Sequence, residues 1–191
     1  MKRMFLTCLS VILCLTSTKA FAQGVDSGLQ DEVEKRIPTL RQWAKDPVIL
    51  TTLRKANARQ RSTSSIQEID ARWQSTAGID EFMRSILTNP AAERLRFLRP
   101  KLPEISEAFL TDRLGANAAM TNKTSDYWQG DEAKFTKAIR GDRNSFHVDP
   151  VSFDESIQAY AVQIALPVFD QGEAIGVLVV TLNLEKLERM R

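Results

Sequence analysis

Two apolar runs near the C-terminus, Tyr160 to Phe169 and Ala174 to Leu184, flank the tetrapeptide Asp170-Gln171-Gly172-Glu173 and limit the possible folds more than any other stretch. Val162, Ile164 and Leu166 alternate with Gln163 and Ala165, which is the period-two pattern of a strand, and the polar loop between the runs carries hairpin turn chemistry. Ile175 to Val180 is apolar on both faces, so it is expected in the middle of a sheet. Ile105 to Leu110, Ala116 to Thr121 and Phe146 to Val151 are further short runs bounded by Gly, Asp and Asn, and they read as strands. A short helix from about Asp131 to Arg140, with Gly141 as its C-cap, is expected between the middle strands.

The first half of the chain has a different period. Leu29, Val33, Ile37, Leu40, Ala44, Val48 and Leu53 recur every three to five residues, a helical stripe that Pro38 and Pro47 kink or split. Asp46 is placed to cap a second helix with Pro47 in its first position. A polar loop is expected from Arg59 to Ser65. Ile66, Ile69, Trp73, Phe82, Ile86 and Leu87 mark further helix, interrupted near Gly78 and ended at Asn89-Pro90, and Ala91 to Leu98 forms one more amphipathic piece. Helices followed by a five-stranded antiparallel sheet with a helical insert make an α+β fold of one domain.

The N-terminus reads as a secretory signal. Lys2 and Arg3 precede an apolar run from Met4 to Leu15, and Ala20-Phe21-Ala22 supplies a cleavage pattern after Ala22. The whole sequence of 191 residues has 26 Lys plus Arg against 24 Asp plus Glu, net +2. The first 22 residues hold Lys2, Arg3 and Lys19, no acid, and both cysteines, Cys8 and Cys14; the remaining 169 have 23 basic and 24 acidic side chains, net −1. The mature chain therefore has no disulfide framework and no basic excess of the kind a nucleic-acid binder shows. The apolar run is too short to span a bilayer, and the residues before each cysteine do not suit lipid attachment. An exported, periplasmic, water-soluble domain is expected, with an uncleaved N-terminal anchor as the alternative, and with residues 1–22 as signal peptide, 23–100 as a helical region and 101–191 as the sheet-containing core.

Few residues could support catalysis. His147 has neither a second histidine nor a cysteine to join it in a zinc site or a dyad, and no phosphate loop or dinucleotide fingerprint occurs. No nucleophile, base and orienting group can be named together, so the chain is read as a non-enzyme without cofactor or metal. Asp126, Asp131 and Glu132 offer oxygen ligands, but their spacing matches no defined calcium loop. The segment from Thr121 to Glu132 stands out, because it sets hydroxyls, an amide and carboxylates beside the adjacent aromatics Tyr127 and Trp128. Flat apolar faces with a few converging polar groups suit a small-ligand pocket; a surface loop pinned into the core by Trp128 fits the same composition.

Asp112 to Thr121, Thr124-Ser125-Asp126-Tyr127-Trp128-Gln129-Gly130-Asp131-Glu132, Asp154-Glu155-Ser156, and the hairpin pieces Gln163 to Asp170 and Ile175 to Leu178 resemble the Cache, or PDC, extracytoplasmic sensor domains, and in particular a soluble periplasmic branch. Asp46-Pro47-Val48-Ile49 and Ile69-Asp70-Ala71-Arg72-Trp73 resemble the leading helices of that branch. The resemblance implies a long N-terminal helix before a PAS-like sheet, with a ligand pocket on one sheet face roofed by the loops and short helix between the middle strands. It also implies that Tyr127 and Trp128 are pocket walls, Asp126 a polar partner and Asp154 a contributor from the opposite strand; Asn117, Thr121 and Gln163 join them as ligand-binding candidates from their position in strands expected to line the same face.

Two positions depart from the amino-acid-sensing members. Ser125-Asp126 stand where those have an arginine before the aromatic pair, and Thr181 stands where they have an aspartate. Without these anchors, an acidic pocket would favour an amine, a cation or a polar neutral molecule. The chain ends on the charged stretch Leu184 to Arg191, so the expected partners are a small-molecule ligand and a membrane-bound sensor kinase or receptor. The alternative is a ligand-independent module that docks such a kinase through its long helix.

Overall fold

The computed structural model describes residues 27–190, and the expected signal peptide lies outside them. The chain begins with α1 (Ser27–Ala44), which runs through Pro38, and α2 (Pro47–Asn57). Asp46 caps α2 as its sequence suggested, accepting from Val48 N at 2.9 Å, with Pro47 where a missing N–H costs nothing. Then follow α3 (Thr63–Ser75), α4 (Glu81–Leu87) and α5 (Pro90–Leu98), whose caps are Ser62, Asp80 and Asn89. The expected loop at Arg59 to Ser65 is shorter, because the Ser62 hydroxyl accepts from Ser65 N and starts α3 early.

A 3-10 turn (Arg99–Lys101) leads into β1 (Ile105–Asp112) and β2 (Asn117–Met120); α6 (Ala133–Ile139) separates these from β3 (His147–Val148), β4 (Ser152–Asp154), β5 (Ala159–Asp170) and β6 (Glu173–Asn183), and α7 (Leu184–Glu188) follows. The sheet is antiparallel in the order β2-β1-β6-β5-β3, with β4 also paired to β5. It has six strands where five were expected. The extra one arises because the run Phe146 to Val151 breaks at Asp149-Pro150, leaving β3 and β4 on successive stretches of β5. Gly141 follows α6 without a left-handed backbone; its N–H donates to Ala138 O at 3.0 Å, and the close approach of Ser145 leaves no room for a Cβ.

The β5–β6 hairpin turns on Gln171 and Gly172, both at positive φ (45° and 101°), the two-residue geometry that matches strand twist. β6 lies between β1 and β5, as its two-sided hydrophobicity requires. Alternation divides the core into two. Ala108, Leu110, Ile164, Leu166, Leu178 and Val180 pack under α1, α2 and α5. Phe109, Ala165, Val177 and Val179 face the other way, toward Trp73, Tyr127, Phe135 and Ala138.

A buried ion pair fastens α1 to the start of the sheet. Arg36 Nε donates to Glu104 Oε1 at 2.5 Å, and its Nη1 donates to Glu32 at 2.7 Å; Glu104 is 1% exposed. Removing one partner strands the other as a buried charge, so Arg36→Met is expected to destabilise by about 3–5 kcal/mol. Urea denaturation checks this, and the double variant Arg36→Met/Glu104→Leu should recover much of the loss.

Candidate ligand-binding site

Three strands form a polar row across the second face of the sheet. Thr181 on β6 is registered with Glu107 on β1 on one side and Gln163 on β5 on the other, and the next row is Phe109, Val179 and Ala165. Glu107, Phe109, Ala161 and Gln163 line the floor of a cavity of ≈ 470 Å³. Its roof is the segment 123–134, which contributes Lys123, Thr124, Ser125, Gln129, Glu132 and Lys134; Asp149 and residues 152–156 close the remaining side. A volume of this order holds a small organic molecule.

The cavity is acidic. Glu107, Glu132, Asp149, Asp154 and Glu155 border it against Lys123 and Lys134. Both lysines are engaged, since Lys134 Nζ donates to Glu132 Oε2 and lies over the Phe109 ring, and Lys123 Nζ donates to Thr76 O and Gly78 O at 3.0 and 3.1 Å. Burial raises the Glu107 carboxyl above its ordinary value of 4.5, and the nearby Asp154 charge adds to the effect; the Ser156 hydroxyl and Arg99 oppose it. Asp154 Oδ1 is held by Ser156 N and Oγ at 2.9 and 2.6 Å, while Ser156 Oγ also reaches Glu107 Oε1 at 3.2 Å. One serine hydroxyl thus lies between the two carboxyl groups, and its single proton serves one of them at a time. A cation set between them would relieve their mutual repulsion.

The roof owes its position to α3 and β2. Asp70 Oδ1 accepts from Tyr127 N at 2.7 Å and from Trp128 N at 3.0 Å, and Trp73 Nε1 donates to Thr124 O at 2.9 Å. Asn117 N donates to Tyr127 O, and Asn117 Nδ2 donates to Thr124 Oγ1 at 2.8 Å and Asp126 O at 3.0 Å. At the β1–β2 turn Gly115 takes φ +88°, and a Cβ there would lie 2.5 Å from Gly130 N, so the turn and the roof meet backbone to backbone.

The residues singled out from sequence do not share one cavity. Asp154 and Gln163 border the sheet-floored cavity. Asn117 and Tyr127 border a second one, of ≈ 480 Å³, between α2, α4 and the β1–β2 turn. Thr121, Asp126 and Trp128 border neither. Thr121 Oγ1 accepts from Ala108 N at 3.0 Å, and Asp126 Oδ1 accepts from Gln74 Nε2 at 2.9 Å, away from the floor. Trp128 Nε1 donates to Leu114 O at 2.8 Å, and its indole covers Gly130. Tyr127 is 1% exposed, its ring against Trp73 and Phe82 at 5.7 and 5.4 Å and its hydroxyl accepting from Arg61. Glu107, Lys134 and Asp149 were missed. The parity that puts Glu107 on the face of Phe109 was the available signal for the first.

No protein-family model and no curated protein matches the chain. Solved structures do. The sensor domain of the V. cholerae histidine kinase DctB superposes with a TM-score of 0.50 at 16% identity, over 85% of this chain and 53% of that one. A domain of a protein described as a sensory box/GGDEF family member from Vibrio parahaemolyticus gives a TM-score of 0.50 at 11% identity, over 85% and 56%. The chain spans about half the length of each. The chain shares the α+β fold of these two domains, helices packed on an antiparallel sheet. Among the described residues no helix is long and apolar enough to cross a membrane.

Two outcomes follow from this geometry. Asp70→Ala removes the acceptor of two roof N–H groups and should cost about 1–3 kcal/mol; hydrogen exchange at the Tyr127 and Trp128 amides should accelerate more than at β5 and β6. For Glu107 the native pKa is raised, so its contribution to stability is complete below the unfolded value of 4.5 and is lost as pH rises through the native value. Glu107→Gln should therefore gain stability relative to the parent between pH 4 and pH 7, as read from urea midpoints at the two pH values.

Proposed function

We propose that the chain is an exported, periplasmic sensor domain that binds a small cationic or polar molecule in the sheet-floored cavity and acts on a membrane-bound signalling partner, a sensor kinase or receptor. The observation that carries this reading is the pair Glu107 and Asp154, with the Ser156 hydroxyl between them, at the edge of a ≈ 470 Å³ cavity on one face of a sensor-type sheet. The fold supports it, since the histidine kinase domain described above is a sensor domain. In this reading residues 1–22 are a signal peptide, 23–100 the helical region and 101–191 the sensor core. The protein is not an enzyme, carries no cofactor and contacts no nucleic acid. Asp154 and Gln163 keep the ligand roles expected of them. Asn117, Asp126, Tyr127 and Trp128 act on the ligand through the shape of the roof, while Thr121 ties the end of β2 to β1.

A second reading, docking without a ligand, is favoured by one feature. Phe153 and Tyr160 are 51% and 58% exposed and pack edge to face at 5.5 Å where β4 pairs with β5, an apolar surface beside the cavity rim.

Thermal denaturation against a panel of amines, metal cations, purines and organic acids separates the two. A ligand at 100 times its Kd adds about 2.7 kcal/mol, a rise of about 5–10 °C for a chain of this size. The ligand reading expects an amine or other cation to give this shift and Glu107→Gln/Asp154→Asn to abolish it. A panel without any hit, or a hit indifferent to both substitutions, defeats it.

A further inference from the structure

The second cavity plays no part in the proposed sensing site, and its chemistry is the opposite. It lies on the far side of Asn117 and Tyr127 from the acidic cavity, between α2, the end of α4 and the β1–β2 turn. Three cationic side chains border it, Lys55, Arg59 and Arg61. Among the described residues none of the three makes an ion pair with a carboxylate, whereas Arg54 on the same helix pairs with Asp170 at 2.6 Å. Gln60, between the two arginines, adopts φ +47°, a conformation disfavoured for a residue with a Cβ. The turn that holds this strained residue sets Arg59 and Arg61 on the same cavity wall. Tyr127 also borders the cavity; because its hydroxyl accepts from Arg61, its own O–H is free to donate elsewhere.

We infer that this cavity is a separate binding site for a small organic monocarboxylate with an apolar body. Guanidinium groups and a phenol O–H are the donors that a carboxylate needs. Val48, Ala56, Ile86 and Pro90 supply apolar wall for the rest of the molecule. Asp112 limits the charge. It is 6% exposed on the same cavity, with Oδ1 accepting from Leu114 N and Ala116 N, and a carboxyl group there, whose ionised form burial already disfavours, leaves no donor for a second anionic end on the ligand. A monoanion is therefore preferred over phosphate or a dicarboxylate. The volume of ≈ 480 Å³ admits an aryl or short alkyl carboxylate.

Isothermal titration calorimetry tests the site with benzoate, hexanoate, succinate and inorganic phosphate against the full mature chain. Benzoate or hexanoate should bind the parent protein and lose at least tenfold in affinity in Arg59→Gln/Arg61→Gln. Ala56→Phe keeps every charge but fills the apolar wall, and it should weaken the same ligands as strongly. Glu107→Gln, in the other cavity, should leave their binding unchanged. The inference is overturned if neither monocarboxylate binds, if succinate or phosphate binds more tightly than both, or if the arginine pair and Ala56→Phe leave affinity intact with a native melting transition.

Discussion

The alternation of side chains along the central stretches of β1, β5 and β6, between the irregularities at Ile105/Glu107 and Val168/Phe169, is the constraint from which the rest of the molecule follows. Because successive residues point to opposite faces, one set of positions builds a continuous apolar surface for α1, α2 and α5. The other set begins apolar at Val177, Val179 and Ala165 and turns polar at Glu107, Thr181 and Gln163. A one-residue slip would bury that polar row under the helices and expose the core. The register is set by the turn at Gln171-Gly172, by the bulge between Val168 and Phe169 that shifts the pairing by one residue, and by the two-sided burial of β6.

The polar row has a cost that is visible within it. Thr181 Oγ1 is buried without a hydrogen-bond partner among the described residues, and Glu107 is held above its ordinary pKa beside a second carboxylate. Such features weaken a fold and are tolerated where a site needs them. The roof compensates by being over-determined. Asp70, Trp73 and Asn117 hold residues 124–128 from two sides, and the Asn117 amide links the wall of the basic cavity to Thr124 in the wall of the acidic one.

Features set by near neighbours could be read directly from the sequence. The hairpin, the central position of β6, the Asp46 cap and the helix before β3 depend on turn chemistry, two-sided hydrophobicity and capping, all of them local. The site was less legible, because side-chain direction in the roof is decided by partners distant in sequence. Adjacent aromatics on a polar loop look like pocket walls whichever way they turn. Here Asp70, 57 residues away from Tyr127, gathers the N–H groups of both, and the Tyr127 ring goes to Trp73 and Phe82. Glu107 was visible as the charged residue of an apolar strand, but which face would be covered by helices cannot be read from the strand alone.

The central claim is that the acidic, sheet-floored cavity holds a small molecule. A crystal structure of the protein purified from its native compartment tests it most directly. The account predicts density above the row of Glu107, Thr181 and Gln163, with a donor or cationic group within hydrogen-bond distance of Glu107 or Asp154. Ligand density only outside that cavity, or a cavity filled by solvent alone in crystals saturated with a ligand that binds in solution, would contradict it.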